Sequence, residues 1–316
     1  MILITGGMGF IGLHTAKAII DAGEDVVVTR YRTTREPSFL KDVMGKRFFS
    51  EQADVADAEQ LAAVAKKYNA SSIIHAVAPA YRALSPAEDY RTNMSGLINV
   101  LETAAAMKMK RVSIASSLAV YRALPAGPFK ESALLPITGT DATEAYKKAW
   151  EILSGHYGIR TGLDVIALRI AGIYGPLYHS MANVTSRMVH PAVKGEPGPI
   201  AATPAQVPYE DDTSDFCYVK DCAAGMQKLH MADKLNHKVY NVASGRPTSA
   251  RDIASAIRKV IPDAKFTLNP GKSAAWRENA YLDIERARTD VGYSPRYTVD
   301  ESIADYIDWL RAGNAV

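Results

Sequence analysis

Cysteine is scarce in this chain, and its placement excludes two kinds of site. The 316 residues include two cysteines, Cys217 and Cys222, at a spacing that fits no metal-binding motif. We expect both to be reduced thiols of a cytosolic protein rather than a disulfide. The seven histidines form no HExxH or similar cluster, so no metal site is expected.

Long apolar stretches and runs of one charge are also missing. No apolar segment reaches about 18 residues, and Met1 is followed at once by a strand-like run, so neither a membrane span nor a signal peptide is predicted. Lysine and arginine total 37 against 34 aspartates and glutamates, and the two signs are interspersed. This balance argues against a nucleic-acid or membrane-surface protein. We expect a cytoplasmic protein.

Short apolar runs alternate with helical patterns through the first half of the chain. The strand-like runs cover residues 1–5, 25–28, 47–53, 72–76, 111–116 and 164–169. The helical patterns cover residues 13–22, 58–68, 90–107 and 143–157. This alternation predicts an α/β fold, a doubly wound parallel sheet with helices on both faces.

The pattern loosens after Gly172, where prolines interrupt a loop-rich region of the kind that covers a substrate. Residues 215–229 and 239–242 look like a return to the first domain, and amphipathic helices are expected at 249–260 and 300–312. The predicted organisation is a Rossmann domain at residues 1–171 and about 215–245, with a smaller C-terminal substrate lobe at residues 172–214 and 246–316.

The stretch MILITGGMGFIGLHTA is the most informative part of the sequence. Its glycines, Gly6, Gly9 and Gly12, directly follow a strand and open a helix. Glycine permits the tight turn and lets backbone N–H groups approach a pyrophosphate at the helix N-terminus. The turn therefore predicts a nucleotide site, to which Phe10 and Ile11 contribute at the start of the helix.

The G-x-x-G-x-x-G spacing resembles the extended short-chain dehydrogenase/reductases, the NAD-dependent epimerase/dehydratase family. Further matching segments are HAVAP (75–79), YRTNMSGLINVLETA (90–104), ASSLAVY (115–121), LRIAGIYGP (168–176), DFCYVKDCAAG (215–225), YNVASGRPTS (240–249) and VGYSPRYTVDESI (291–303). The resemblance implies that a dinucleotide contacts Asp54, Val55, Ala76, Val77, Ala78, Asn93 and Lys147. It also implies a homodimer formed through the helices at 90–107 and 143–157.

The end of the second strand bears on the choice of dinucleotide. NAD-binding proteins usually place an acid there to accept hydrogen bonds from ribose hydroxyls, but the matching residue here is Arg30, with Arg32 and Arg35 close by. A guanidinium can bind a 2′-phosphate that a carboxylate would repel. We therefore predict NADP as the cofactor, with NAD as the second choice. The alternative is that these arginines belong to a solvated loop.

The family's catalytic residues are only partly present. Ser117 stands at the family's Ser/Thr position, and the Y-x-x-x-K-x-x-x-E motif is matched by Thr143, Lys147 and Glu151, with threonine in place of tyrosine. A threonine hydroxyl is too short and too weakly acidic to replace a tyrosine unaided. Tyr146 lies on nearly the same helix face and leans toward the vacated place, so it is our candidate acid/base, with Lys147 and Ser117.

Two alternatives concern the same helix. Tyr146 can instead pack between the helix and the sheet, with Trp150 as its neighbour. Glu144 and Lys148 also have a suitable spacing, but we expect them to form a surface ion pair.

The substrate lobe departs from nucleotide-sugar members of the family. Gly172 stands at the position of their phosphate-binding Asn, and Ser214 stands at that of an Arg and follows the acidic residues 210–212. These departures favour a small alcohol or carbonyl substrate. The loop residues expected to help bind it are Tyr178, His179, Arg187 and His190.

The main prediction is therefore an NAD(P)-dependent oxidoreductase. One alternative is a nucleotide-sugar epimerase or dehydratase that keeps its NAD bound. The other is a catalytically silent dinucleotide-binding regulatory protein, which the missing tyrosine favours and the intact Lys147 and Ser117 oppose.

Overall fold

The computed structural model describes residues 1–31, 33–77 and 84–314. In this part of the chain the strands are β1 (Ile2–Thr5), β2 (Val26–Arg30), β3 (Phe48–Gln52), β4 (Ser72–His75), β5 (Val112–Ser117), β6 (Val165–Ile170), β7 (Gly172–Tyr174), β8 (Thr213–Ser214), β9 (Phe216–Tyr218), β10 (Val239–Val242) and β11 (Thr248–Ser249). The α-helices are α1 (Phe10–Asp21), α2 (Ala58–Lys67), α3 (Pro86–Ala106), α4 (Ala142–Thr161), α5 (Val184–Lys194), α6 (Val219–Met231), α7 (Ala250–Val260), α8 (Glu285–Val291) and α9 (Val299–Arg311).

Seven of the described strands form one parallel sheet, which confirms the predicted fold class. Their order is β10-β6-β5-β4-β1-β2-β3, and every neighbouring pair is parallel. The chain runs outward from β1 in one direction to β3, then returns to the other side of β1 at β4. This reversal between β1 and β4 opens a crevice at the carboxyl ends of the strands, where doubly wound folds bind their ligands.

Both faces of the sheet are covered, and alternate residues of each strand face opposite sides. Leu3 of β1 belongs to a core with residues of α2, α3 and α4, whereas Ile4 belongs to a second core with residues of α1 and α6. The second core also includes Ile257 of α7 and Ile303 of α9. The C-terminal helices therefore share one apolar interior with the sheet. The division into two lobes at the predicted boundaries stays a prediction.

The largest difference from the predicted elements is α5, inside the region expected to be loop. Asn183 caps its first turn by accepting a hydrogen bond from the Ser186 N–H, at 2.8 Å. Pro191 lies in its second half and has no N–H for the carbonyl of Arg187, one turn earlier. That carbonyl instead accepts a hydrogen bond from the Ile200 N–H, at 2.9 Å. A distant residue thus replaces the lost helical hydrogen bond, which the local sequence could not indicate.

The described residues contain neither a membrane-spanning helix nor a cluster of metal ligands. None of their helices is both long enough and apolar enough to cross a bilayer. Nor do three or more of their histidine, cysteine, aspartate or glutamate side chains converge as metal ligands would. Cys217 and Cys222 are buried free thiols.

Candidate active site

The glycine turn is held tightly between β2 and β4. Gly6 has φ +69°, a left-handed conformation that glycine adopts without strain, and its N–H donates to the Thr29 hydroxyl at 3.2 Å. A Cβ on Gly6 would lie 3.0 Å from the backbone of Val77, and one on Gly12 would lie 2.6 Å from the Gly7 Cα. The missing side chains therefore allow the turn, the helix and the β4 loop to meet.

The turn presents the N-terminus of α1 to the crevice. Gly9 is the N-cap of α1 and contributes no side-chain hydrogen bond, so the N–H groups of Phe10 and Ile11 stay available to an anion. The helix dipole and the free N–H donors together form a cradle for an anion. An added Cβ on Gly9 would narrow this cradle, because it would lie 3.1 Å from the Gly6 carbonyl oxygen. These residues fit a dinucleotide pyrophosphate.

The predicted adenosine side is formed by the ends of β2 and β3. The Arg30 guanidinium is exposed and donates to Gln52 Oε1 at 3.2 Å. Asp54 Oδ1 accepts the Ala56 N–H at 2.9 Å and thereby shapes the loop after β3. The Val55 carbonyl accepts a hydrogen bond from Asn99 of α3 at 3.0 Å. The structure thus brings Arg30, Asp54 and Val55 to one edge of the sheet.

Arg35 turns away from Arg30 and toward the glycine turn. Its Nη1 donates to the Met8 carbonyl at 3.3 Å, and its Nη2 lies 3.0 Å from His179 Nδ1. Arg35 therefore joins the β2 loop to the substrate lobe across the N-terminus of α1. Arg32 and Ala78, which we also predicted to contact the dinucleotide, lie outside the described residues.

Two buried polar atoms on the predicted nicotinamide side have no hydrogen-bond partner among the described residues. His75 Nδ1 is 2.7 Å from the Thr5 hydroxyl, which leaves Nε2 buried and unpaired within residues 1–31, 33–77 and 84–314. Asn93 Nδ2 donates to Asp89, one turn earlier on α3, and leaves Oδ1 buried and unpaired in the same part of the chain. Unpaired buried polar atoms are costly, and they cluster where a bound molecule supplies the missing contact. Ala76 continues this wall, because its N–H donates to the Thr5 carbonyl at 3.0 Å.

The predicted catalytic helix is α4, and Ser117 is the last residue of β5. The Ser117 Oγ accepts the Ala119 N–H at 3.1 Å, and this bond begins the short 3₁₀ helix Leu118–Tyr121. Asp141 caps α4, and Thr143 and Tyr146 are both half-buried in its first turns. The sheet and α4 therefore bring the predicted catalytic elements together, while the roles of these residues stay predictions.

Lys147 has the most unusual environment in the site. Its side chain is buried, and its Nζ lies 4.0 Å from the centre of the Trp150 ring. Burial lowers the pKa of Lys147 to about 7, against the opposing attraction of Glu151. Trp150 in turn packs on the His75 ring at 5.0 Å, and burial, followed by the Lys147 charge, lowers the pKa of His75 to about 3. The imidazole is therefore neutral at ordinary pH.

Glu151, the last residue of the motif, is bound to Arg169 of β6. Arg169 donates to Oε1 through Nε at 3.0 Å and to Oε2 through Nη2 at 2.7 Å, and both side chains are buried. The Ser116 hydroxyl donates to the same carboxylate. Arg169 also donates to the Tyr121 hydroxyl at 2.8 Å, and burial raises the pKa of Tyr121 to about 12. Tyr121 is therefore a structural hydrogen-bonding group.

The expectation of a surface ion pair between Glu144 and Lys148 is wrong. The Glu144 side chain is fully covered, and that of Lys148 is 11% exposed. Lys148 Nζ lies 2.6 Å from Glu144 Oε1 and also donates to the carbonyls of Pro136 and Thr138, each at 2.8 Å. The pair fastens the start of α4 to the preceding loop, because that loop folds over both side chains.

The residues proposed to bind the substrate lie in different environments. His190 is buried, with Nε2 2.7 Å from the Tyr306 hydroxyl, so it joins α5 to α9 in the interior. Tyr178 packs edge-on against Phe10, with ring centres 5.1 Å apart, beside the predicted pyrophosphate cradle. Arg187 is half-buried and donates to the Gln206 carbonyl at 2.8 Å, while its Nε is buried with no hydrogen-bond partner in the described part of the chain.

Sequence reasoning missed Arg277, which fixes the loop after Ser117. Its Nη1 donates to the carbonyls of Tyr121, Arg122 and Leu124 at 3.1, 3.3 and 3.3 Å. Its guanidinium also lies 4.7 Å from the centre of the Phe129 ring. More than 150 positions separate Arg277 from the carbonyls that it binds, so no local signal could have indicated this role.

Comparison with known proteins supports the resemblance. The sequence profile described as the NAD dependent epimerase/dehydratase family matches residues 2–243. The UDP-glucose 4-epimerase of Lacticaseibacillus casei is 27% identical over 330 residues, which cover 98% of this chain and 96% of that protein.

Solved structures show the same fold. The L-threonine dehydrogenase of Cupriavidus necator superposes with a TM-score of 0.79 at 26% identity, covering 97% of this chain and 98% of that one. The UDP-glucose 4-epimerase of Thermus thermophilus, solved in complex with NAD, gives 0.80 at 23% identity, with 98% of each chain covered.

Gly12 offers the most direct test of the cradle. In Gly12→Ala the new Cβ must displace Gly7 or the start of α1, because it would lie 2.6 Å from the Gly7 Cα. We expect dinucleotide affinity to fall at least about tenfold, or ~1.4 kcal/mol, in a fluorescence titration with NADH and NADPH. Gly155→Ala is the matched control, because no atom lies within 4 Å of its added Cβ. Unchanged affinity in Gly12→Ala would place the nucleotide elsewhere.

Proposed function

Because the chain belongs to the NAD-dependent epimerase/dehydratase family, we propose that it is an oxidoreductase acting on a small alcohol or carbonyl substrate. A bound dinucleotide would supply the hydride acceptor or donor. The glycine turn, Asp54, Val55 and Asn93 would hold it, and Lys147 would lie at its nicotinamide end. The observation that carries this proposal is that the glycine turn follows β1, while the buried Lys147 packs through Trp150 against His75 at the end of β4, the other strand beside the crevice.

Gly172 supports a small substrate. Nucleotide-sugar members of the family often have a phosphate-binding asparagine at this position. Here an added Cβ would lie 3.2 Å from both the Asp215 carbonyl oxygen and the Phe216 ring. A larger side chain would require β7 and β9 to move apart by a few tenths of an ångström. The present backbone thus favours glycine and omits that phosphate contact.

The acidic segment before Ser214 provides weaker support than its sequence suggests. Arg251 lies 2.8 Å from Glu210 and 2.9 Å from Asp211, while Asp212 accepts the Ser273 N–H at 2.8 Å. These contacts offset much of the negative charge, so repulsion of a diphosphate is not a sound argument. The missing contacts at Gly172 and Ser214 remain the grounds for a small substrate.

The relatives favour a second candidate, a nucleotide-sugar epimerase or dehydratase. The Lacticaseibacillus casei relative and the Thermus thermophilus neighbour are both UDP-glucose 4-epimerases, whereas the Cupriavidus necator neighbour is an L-threonine dehydrogenase. Epimerisation needs an oxidation and a reduction on one bound cofactor, so it favours a dinucleotide that does not leave.

Nucleotide release distinguishes these candidates. We expect the purified protein to contain little nucleotide after denaturation, to bind NADPH or NADH reversibly, and to use it with a panel of small ketones and alcohols. Stoichiometric bound NAD, together with conversion of UDP-glucose to UDP-galactose, would support the epimerase instead. If the protein binds neither nucleotide, both the oxidoreductase and the epimerase proposals are wrong.

We further propose NADP rather than NAD as the preferred cofactor. Arg30 replaces the acid at the end of β2, and its exposed guanidinium bonds only a neutral amide among the described residues, at 3.2 Å. Such a guanidinium can turn to a 2′-phosphate at little cost. The NAD in the Thermus thermophilus structure argues for the other choice.

The variant Arg30→Asp tests this preference. It should weaken NADPH binding roughly 10- to 100-fold, the worth of one or two charge-assisted hydrogen bonds, while NADH binding is unchanged or stronger. Arg311→Asp, at the end of α9, makes the same change in net charge on an exposed residue far along the chain and serves as the control. Equal effects on the two nucleotides in a calorimetric titration would assign Arg30 to a solvated loop.

We also propose that the protein forms a homodimer through α3 and α4. A groove of about 490 Å³ between these helices is lined by apolar residues that include Leu97, Ile98, Leu101 and Leu153. Ile98 and Leu153 are 44% and 47% exposed, a large apolar area for two neighbouring helices in water.

Leu153→Glu should therefore shift the sedimentation coefficient from that of a dimer to that of a single chain, because a buried unpaired carboxylate opposes association. Ile137→Glu changes a fully exposed residue outside the groove and should leave the dimer intact. A wild-type protein that sediments as a monomer at micromolar concentration would contradict the proposal.

A further inference from the structure

We propose that Lys147 itself, rather than a tyrosine, exchanges the proton with the substrate oxygen, an inference that rests on the hydride-transfer function proposed above. In related enzymes a tyrosine performs this step and lysine assists it. Here threonine occupies the tyrosine position, so the proton needs another acceptor.

The surroundings of Lys147 favour an uncharged amine. The side chain is buried, and the Trp150 ring lies 4.0 Å below its Nζ. Within the described residues, no carboxylate lies within ion-pair distance of this nitrogen. An ammonium there has lost water without gaining a full counter-charge, and burial accordingly lowers the pKa of Lys147 to about 7. The aromatic face alone offsets only part of this loss.

Besides Tyr146, the titratable groups of α3 and α4 to consider are two carboxylates, and both already accept hydrogen bonds. Glu151, on the same helix, accepts hydrogen bonds from Arg169 of β6 and Ser116 of β5. On α3, Asp89 accepts a hydrogen bond from Asn93 at 2.9 Å.

Two titratable rings on neighbouring elements, His75 and Tyr121, are also held by hydrogen bonds. His75 of β4 is neutral and held by Thr5, and burial lowers its pKa to about 3. Tyr121 of the 3₁₀ helix donates to Asn241 at 2.9 Å and accepts from Arg169. Neither can readily lose or gain a proton near neutrality.

Thr143 gives the amine a route to the substrate. It stands four residues before Lys147, so both side chains lie on one face of α4. Its hydroxyl can accept the substrate proton while passing its own to Nζ, and it need not ionise to do so. Thr143 thus relays the proton between substrate and Lys147, and the weak acidity of its hydroxyl does not matter for this role.

The oxidation step then balances without another reactant. The substrate O–H and carbinol C–H bonds would break, a carbonyl would form, and the hydride would leave with its electron pair to the oxidised nicotinamide that a bound dinucleotide would supply. The proton passes through Thr143 to the Nζ lone pair, and Lys147 becomes an ammonium that later releases the proton to water. Oxidation should therefore require the neutral amine and decline as pH falls below about 7. Reduction requires the ammonium and should decline as pH rises above that value.

The amine can be titrated without any substrate. Protein labelled with 13C at lysine Cε should show one signal that moves near neutral pH and is absent in Lys147→Arg. Lys148 provides an internal comparison, because its ammonium is paired with the Glu144 carboxylate at 2.6 Å whereas the Lys147 amine lies over the Trp150 ring. A Lys147 signal that moves only near the ordinary pKa of 10.5 overturns the inference, whatever the substrate proves to be.

Activity separates Lys147 from Tyr146. Arginine keeps the positive charge but cannot act as a base near neutrality, so Lys147→Arg should lower kcat for oxidation about 100- to 10,000-fold, a larger loss than any loss of dinucleotide affinity. Lys147→Ala should regain activity with added methylamine, and the loss of kcat in Tyr146→Phe should be smaller than the loss in Lys147→Arg. Loss of turnover in Tyr146→Phe, with Lys147→Arg active, would assign the proton to the tyrosine. A wild-type protein that turns over no substrate would instead overturn the proposed function itself.

Discussion

The buried ion pair between Glu151 and Arg169 is the constraint on which the site depends. It joins α4 to β6, the second strand from one edge of the sheet, and its other hydrogen bonds reach β5 through Ser116 and the 3₁₀ helix through Tyr121. A buried pair of this kind adds little net stability, but removing one partner leaves an unpaired charge and costs about 3–5 kcal/mol. Its value here is positional, because it fixes the register of α4 and thereby the place of Lys147 one turn earlier.

The same pair explains why Lys147 is poorly compensated. Glu151 is the acid whose charge most affects Lys147, but two guanidinium hydrogen bonds and a hydroxyl already occupy its oxygens. The attraction between Glu151 and the Lys147 ammonium is therefore screened, and it is smaller than the free-energy cost of burying that ammonium. Trp150 completes the arrangement by filling the space beneath the amine, where water would otherwise stabilise the ammonium. The strength of one ion pair thus determines the protonation of a neighbouring group.

The sequence predicted the sheet, the glycine cradle and the register of Lys147 with Glu151, because each is encoded within one turn of chain or one apolar period. It could not predict α5, where a hydrogen bond from Ile200 offsets the break at Pro191. Nor could it predict that Lys148 and Glu144 are covered, since the covering loop is positioned by the fold. Periodicity identifies which residues share a helix face, but burial and pairing depend on segments far away in the chain.

Charged residues show in two ways that the sequence alone does not reveal which charges are paired. Glu210 and Asp211 look like a repulsive patch in the sequence, yet Arg251, about forty positions away, offsets them. Lys147 looks like an ordinary member of a charged helix, yet the fold removes its water and gives its nearest acid to another residue. Reactivity follows the local balance of desolvation and pairing rather than the number of charges nearby. A missing tyrosine therefore does not imply a silent site, because burial can give a lysine the proton affinity that the reaction requires.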